Sequence, residues 1–484
     1  MSKFTSKKIG LGVIGAAVVV AVTYIALSAV AQSEAEEQVQ AFEKMLGEAT
    51  HQTKISTGDV NAGLFSGSAT IDDFAMKQDV TGNRLAVDKL TIVPEDDRLK
   101  HFAAKNAALN IDGSGDVVKV DRFALDDVSY NDLEMIKLIF EGEASQREID
   151  EFMLSVSTGA IELTGASVSD TLTGANASGE LETFSVDSIA GGVIHGVEIA
   201  SGEFRDTNDS VSGQLESLEA GAVVYSHLID PTITPEDFDA RAAAEWTVDR
   251  VSITNGEATL GLTRMGIDNI ETSNNRVTAA DLELDDLYLE RNEGQSLRSM
   301  DSSLAQAFSI FDTDRFSMSA GSSTQVDYEN GDLDFEVNYS VSQVGSVTMK
   351  GDLAGIPYER FENLNYNNQR ALQQTMQQAM MAMGVRDLSA RYEDDGAIDK
   401  LAKQMGGRQA MARLVEQNIA AARGALTFDD QQMIGDAMTN FIDGGDTISI
   451  SIDPDRTMGI TEIQRAAASN VTLIESIGLR VEGE

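Results

Sequence analysis

The chain has 484 residues, with 36 basic against 79 acidic side chains, a formal net charge of −43, 42% hydrophobic residues and no Cys. That hydrophobic content excludes a mostly disordered chain, and the length allows several domains with ample core. The charge repels phosphate backbones and anionic headgroups, which excludes nucleic acid as a partner, and the missing Cys excludes disulfides, a thiol nucleophile, a zinc ribbon and an acylated N-terminal Cys.

The N-terminus opens with a basic tail, residues 1–8, carrying Lys3, Lys7 and Lys8. Residues 9–31 form an apolar run built on Ile9, Leu11, Val13, Ile14, Val18, Val19, Val20, Val22, Ile25 and Leu27. A run of about 20 residues spans a hydrocarbon core of roughly 30 Å, and flanking positive then negative charge leaves the N-terminus in the cytoplasm. This reads as a signal-anchor. Ala29-Val30-Ala31 offers a signal peptidase the alternative of cleavage, which would release a soluble product. Either way the remainder leaves the cytoplasm. Residues 32–54 are predicted to form a helical stalk, with Val39, Phe42 and Leu46 on one stripe of a helix over Gln32–Gly47.

Residues 55–353 read as a repetitive β-rich domain of short antiparallel strands. Gly58, Gly63 and Gly67 punctuate brief apolar pieces, and Pro94 ends a strand. A Val-Asp step recurs at Val87-Asp88-Lys89-Leu90, Val120-Asp121-Arg122-Phe123, Val186-Asp187-Ser188-Ile189 and Val248-Asp249-Arg250-Val251. It reads as a recurrent strand start, with Val toward a core and Asp toward water; the alternative is a row of ligand-binding carboxylates along a groove. Helices are predicted over Glu134–Phe152, from a capping Thr234 followed by Pro235 and Glu236, and over Ser303–Phe311. Near the end of this domain, Asn330-Gly331 is predicted to be a two-residue hairpin turn. After it, Leu333, Phe335, Val337, Tyr339 and Val341 alternate with Asp334, Glu336, Asn338 and Ser340. Those five apolar residues are the candidate binding face of a sheet buried on one side only.

Residues 361–484 read as a helix-rich α+β module. Half of the 18 Met lie from Met376 onward, and Met376, Ala379, Met380 and Met383 fit a helix stripe. So do Ile398, Leu401 and Met405. Two strands, "VRDLSARYED" and "DTISISIDPD", interrupt the helices, and a last helix is predicted near Ile463–Ile477.

No catalytic, cofactor or metal motif emerges. His51, His101, His195 and His227 are too far apart for a His-x3-His site, and no nucleophile elbow, Walker A loop, dinucleotide fingerprint or calcium loop occurs. Among the adjacent carboxylates are six Asp-Asp pairs: Asp72-Asp73, Asp96-Asp97, Asp126-Asp127, Asp285-Asp286, Asp394-Asp395 and Asp429-Asp430. Neighbours on a regular strand point to opposite faces, which does not suit a glycosidase pair.

A single N-terminal span, repeated short strands such as "VDRFALDDVSY" and "GLFSGSATIDDF", and a helical C-terminal part resemble bacterial envelope proteins of the AsmA-like and YdgA-like kind. The resemblance implies an inner-membrane, single-pass protein with its bulk in the periplasm; some such proteins are linked to outer-membrane maintenance and phospholipid traffic. The expected fold class is therefore α+β: one N-terminal membrane helix, a long extended twisted antiparallel β region and a helix-rich C-terminal module. The expected function is non-enzymatic binding of lipid or another apolar ligand along a half-open sheet, with no cofactor. The alternatives are an assembly factor that contacts envelope proteins without lipid, and a hydrolase with an unrecognised site. The expected partners are the inner membrane, through the N-terminal helix, and a lipid or an envelope protein.

Overall fold

The computed structural model describes residues 53–62, 68–78, 84–95, 97–110, 116–141, 144–170, 177–206, 210–226, 238–292, 302–362, 369–421, 427–467 and 472–484. The predicted anchor, from Ile9 to Leu27, the stalk helix and the Thr234 helix start lie outside these residues. Among the described residues no helix is long and apolar enough to cross a membrane. The described chain is rich in long antiparallel strands, with helices gathered toward its C-terminal part, and it divides into two compact units, Met1–Val248 and Asp249–Glu484.

In the first unit, β1 (Thr53–Ser56) and β2 (Val60–Ala62) both pair with β3 (Ala69–Gln78). The chain then meanders through β4 (Arg84–Glu95), β5 (Arg98–Asn110) and β6 (Asp116–Ser129). Two helices follow, α1 (Tyr130–Glu141) and α2 (Gln146–Ser155). The single helix predicted over Glu134–Phe152 is therefore two. The second has its own start: the Ser145 hydroxyl accepts from the Glu148 amide while the Glu148 carboxylate accepts from the Ser145 amide. Strands β7 (Ile161–Asp170), β8 (Ala177–Val186), β9 (Ser188–Ala190), β10 (Val193–Asp206) and β11 (Val211–Val224) complete the unit with α3 (Ala240–Ala244). The core lies on one face of β3–β6. Residues paired across strands point to the same face, so Ile71, Leu90, Ala104 and Phe123 form one buried row, and Phe74, Val87, Ala107 and Val120 form the next. Leu133 of α1 belongs to the same cluster.

Those two rows are three residues apart on every strand, where a regular strand would place them two or four apart. The reason is backbone conformation. Asp73, Asn106, Gly165 and Ser201 have φ of 53°, 52°, 61° and 54°, the left-handed region that Asp, Asn and Gly tolerate best. One left-handed residue turns two consecutive side chains outward and restores the inward face three residues on. The four sit on alternate strands β3, β5, β7 and β10, and the strands between them place Asp88, Asp121, Glu182 and Glu216 in line with them. The Asn106 amide donates to the Asp88 carboxylate at 2.9 Å, and a Cβ on Gly165 would overlap the Asp121 carboxylate.

The Val-Asp step is thus corrected from a strand start to a mid-strand excursion. Val87 and Val120 lie well inside β4 and β6, and Val248 lies inside β12 (Trp246–Thr254). At Val186-Asp187 the step separates β8 from β9, with left-handed Gly196 against the Asp187 carboxylate. The orientation is as expected at three copies: Val87, Val120 and Val186 are buried, while Asp88, Asp121 and Asp187 are exposed. The carboxylate pairs follow the same rule. Asp73, Asp127 and Asp286 are each the second of a pair, and each has φ near 50° (53°, 51° and 50°). Their flanking apolar residues share a face, so both carboxylates of these pairs turn outward. Pro94 is likewise inside β4 by one residue, at a slip of register between Val93 and Pro94.

In the second unit, β13 (Ala258–Ser273), β14 (Arg276–Arg291), α4 (Ser302–Phe311), β15 (Arg315–Asp327), β16 (Asp332–Val341) and β17 (Gly345–Ala354) precede α5 (Glu359–Glu362) and α6 (Gln369–Ala382). Strand β18 (Gly384–Asp394) pairs directly with β17, so the sheet continues across residues 354–384, where a module boundary was expected. Helices α7 (Ala397–Met405), α8 (Arg408–Ala421) and α9 (Phe428–Asp443) lead to β19 (Thr447–Ile452) and β20 (Met458–Gly459). The predicted last helix is again two, α10 (Ile460–Ala467) and α11 (Leu473–Ile477), and the terminal segment forms β21 (Leu479–Gly483) against β19.

The Asn330-Gly331 turn is corrected from two residues to four. Asp327 pairs with Asp332, leaving Tyr328-Glu329-Asn330-Gly331 as the loop. A type I′ turn needs positive φ at both central residues, but only Gly331 has it, at 74°. The Asp327 carboxylate accepts from the Glu329 amide at 2.9 Å and from the Asn330 side chain at 2.7 Å, which stabilises the wider loop. The Asn330 bonds hold that carboxyl below the usual range.

Candidate functional site

The alternation at Leu333–Val341 becomes a two-faced sheet. Leu333, Phe335, Val337, Tyr339 and Val341 share one face of β16, and their cross-strand partners extend it. One row runs Leu282, Ser322, Val337, Met349, Ala390, Ile450. The next runs Leu284, Ala320, Tyr339, Val347, Tyr392, Ile448. Phe335 lies over Gly351, its direct partner, where a Cβ would overlap the ring. The same arrangement places Phe204 over Gly213 and Tyr288 over Gly261. An aromatic ring over a cross-strand Gly covers backbone that the Gly would leave bare.

The opposite face is wet and charge-paired. Lys350 bonds Glu336 at 2.8 Å and, with Asn338, pulls that carboxyl below the usual range. Arg386 bridges Asp332 at 3.0 Å and Asp352 at 3.1 Å. These pairs neutralise one another at the surface and contribute little to stability.

Helices cover parts of the apolar face. Phe308 of α4 lies tilted against Phe316 and Phe311 meets it edge-on, with centroids 5.1 and 5.6 Å apart. Phe441 of α9 meets Tyr392 edge-on at 5.8 Å, and the α9 backbone at Ala437 lies directly on Gly483. Burial and the Asp394 carboxylate, which bonds its hydroxyl, push the Tyr392 phenol up. Met458, Ile477 and Leu479 form a small buried core beneath α10 and α11. The rest of the face is half-buried to exposed, with Leu333, Phe335, Val337 and Val341 half-buried. Among the described residues of β13–β17, the buried ones are Gly261, Gly266 and Gly351, and no apolar side chain there is fully buried. Tyr339 is 43% exposed, Ile450 46% and Leu260 50%. Strands β3–β6, by contrast, bury more than a dozen apolar side chains, Ile92, Leu99, Phe102 and Val128 completely.

Among the remaining candidates, Asp394, Asp430 and His101 have structural partners; His51 and His227 lie outside the described residues. Asp394 accepts from the Gly396 and Ile398 amides at 3.0 and 3.1 Å and so starts α7. Asp430 is almost wholly buried and accepts from the Thr427 hydroxyl at 2.6 Å and from the Leu473 and Ile474 amides at 2.9 and 3.4 Å. Burial alone would raise its pKa; the bonds from Thr427, Leu473 and Ile474 outweigh this and hold it below the usual range. His101 bonds Asp126 at 2.5 Å across β5 and β6. Among the described residues no group of three or more His, Asp or Glu is placed to hold a metal ion.

A family model described as "Uncharacterized protein" matches residues 338–484, from within β16 to the end of the chain. No curated protein matches the chain.

Proposed function

We propose that this is a non-enzymatic, membrane-anchored envelope protein whose second unit holds the acyl part of a lipid, or a similarly apolar ligand, on the open face of β13–β19. The observation that carries the reading is the absence of any fully buried apolar side chain among the described residues of β13–β17, although β16 alternates as strictly as a strand of a sheet with a covered core. A contiguous apolar face open to water is uncommon on a monomer and favours occupation. The acidic surface disfavours an anionic headgroup as the main anchor, so affinity rests on the chains. Membrane attachment through residues 9–31 is part of the proposal and rests on their hydropathy.

The test is native mass spectrometry with lipid extraction on the full chain in mild detergent. Co-purifying lipid at defined stoichiometry is expected, and loss of it in a V337E/Y339E variant that still unfolds cooperatively. A lipid-free chain that captures a periplasmic protein through the same face would favour the assembly-factor reading.

A further inference from the structure

We propose that Met376, Met380 and Met381 of α6, and Met405 of α7, are reversible oxidation sites for a neutral peroxide. The chain has no Cys, so thioethers are its only oxidisable sulfurs. Met376, Met380 and Met381 are 51%, 49% and 54% exposed, and Met405 is 44% exposed. Each helix packs through another residue: Ala379 is the buried side of α6, and Ala397 and Ala402 are the buried side of α7. Met380 stands one turn from Met376 and Met381 follows it, so three of the four sulfurs lie on one stretch of α6, and Met405 is an exposed thioether on α7. The sequence of α6, QRALQQTMQQAMMA, contains no carboxylate. The chain as a whole is strongly negative, which disfavours anionic oxidants and leaves hydrogen peroxide as the reagent that reaches these sulfurs unhindered. Met458 supplies the internal contrast: it is only 8% exposed and sits in the small core with Ile477 and Leu479.

In the reaction a sulfur lone pair attacks one peroxide oxygen. An S–O bond forms as the O–O bond breaks, and the second oxygen leaves as water after proton transfer. Sulfur loses two electrons and the peroxide gains them. Methionine sulfoxide reductase, drawing two electrons and two protons from a pair of thiols that close to a disulfide, returns the thioether and releases the oxygen as water. Each sulfoxide turns an apolar tip into a strong acceptor, so oxidation converts the exposed side of α6 from apolar to polar without touching the packed side.

The full chain in mild detergent is treated with graded hydrogen peroxide and its peptides mapped by mass. The four Met are expected to reach the sulfoxide about tenfold faster than Met458 or more. The urea midpoint should stay unchanged, and the reductase with a thiol should reverse the modification. A variant with all four replaced by Leu should take up four fewer oxygens at the early stage. Oxidation of the four no faster than Met458, a shifted unfolding transition, or failure of the reductase to restore them would overturn the proposal.

Discussion

Replacing Asp127 by Val separates two accounts of the long strands. Asp127 has φ 51° and sits between Leu125 and Val128, both buried on the core face of β6. A β-branched residue held there costs about 1–2 kcal/mol in the left-handed region. If the strand straightens instead, parity flips and one buried aliphatic side chain turns to water, at about 1.5–3 kcal/mol. The cheaper route sets the expectation, a loss of about 1–2 kcal/mol. Strand propensity alone predicts the opposite sign, a gain of up to about 1 kcal/mol for Val over Asp. The assay is urea unfolding of the full chain followed by Trp fluorescence, because the chain's single Trp, Trp246, lies at the end of the first unit. With an m-value of about 2–3 kcal/mol/M the midpoint should fall by about 0.5 M. Asp127→Asn should stay within about 0.5 kcal/mol, since Asn tolerates the same region. A Val variant as stable as the parent, with unchanged slope, would refute the left-handed excursion as the organising device of the sheet.

Three further outcomes follow from named contacts. Gly165→Ala should lower the stability of the first unit by more than about 1 kcal/mol, because φ is 61° and the new Cβ overlaps Asp121; adding Asp121→Gly should recover part of the loss in the same urea assay. Asp430→Ala should cost about 1–3 kcal/mol in the second unit, since it strips the amides of Leu473 and Ile474 of their acceptor, and hydrogen exchange at α11 should rise. The Asp430 carboxyl titrates lower folded than unfolded, so its contribution is complete above about pH 4 and fades as pH falls through the folded value. Acid unfolding of the second unit should therefore be less steep below about pH 4 in Asp430→Asn than in the parent.

Much of this fold was legible from alternation. Leu333–Val341 displayed its two faces directly, because a half-buried strand must alternate. The helix at Ser303–Phe311 was visible one residue short of its observed start. What alternation hid was the excursion. The runs Ile71-Asp72-Asp73-Phe74 and Leu284-Asp285-Asp286-Leu287 look like interrupted strands, since two polar residues between apolar ones break a period of two. The signal was present in the second Asp of each pair and in Asn106, residue types that accept positive φ. Likewise Asn330-Gly331 invited the shortest turn, but the Asp327 side chain pays for two more loop residues with its hydrogen bonds. The openness of the apolar face was not legible, because burial depends on which helices reach it, and α4 and α9 reach only parts. The exposure of Met376 and Met380 was not legible for the same reason, because a helix stripe does not say what covers it.

The central claim, an apolar face that holds acyl chains, is tested most directly by placing a photo-crosslinking amino acid at Tyr339 and, separately, at Asn338 in the full chain in whole cells. These neighbours share a strand but point to opposite faces. Irradiation should yield adducts carrying lipid acyl chains at position 339 and none at 338. Equal adducts at both positions, or protein adducts alone at 339, would contradict it.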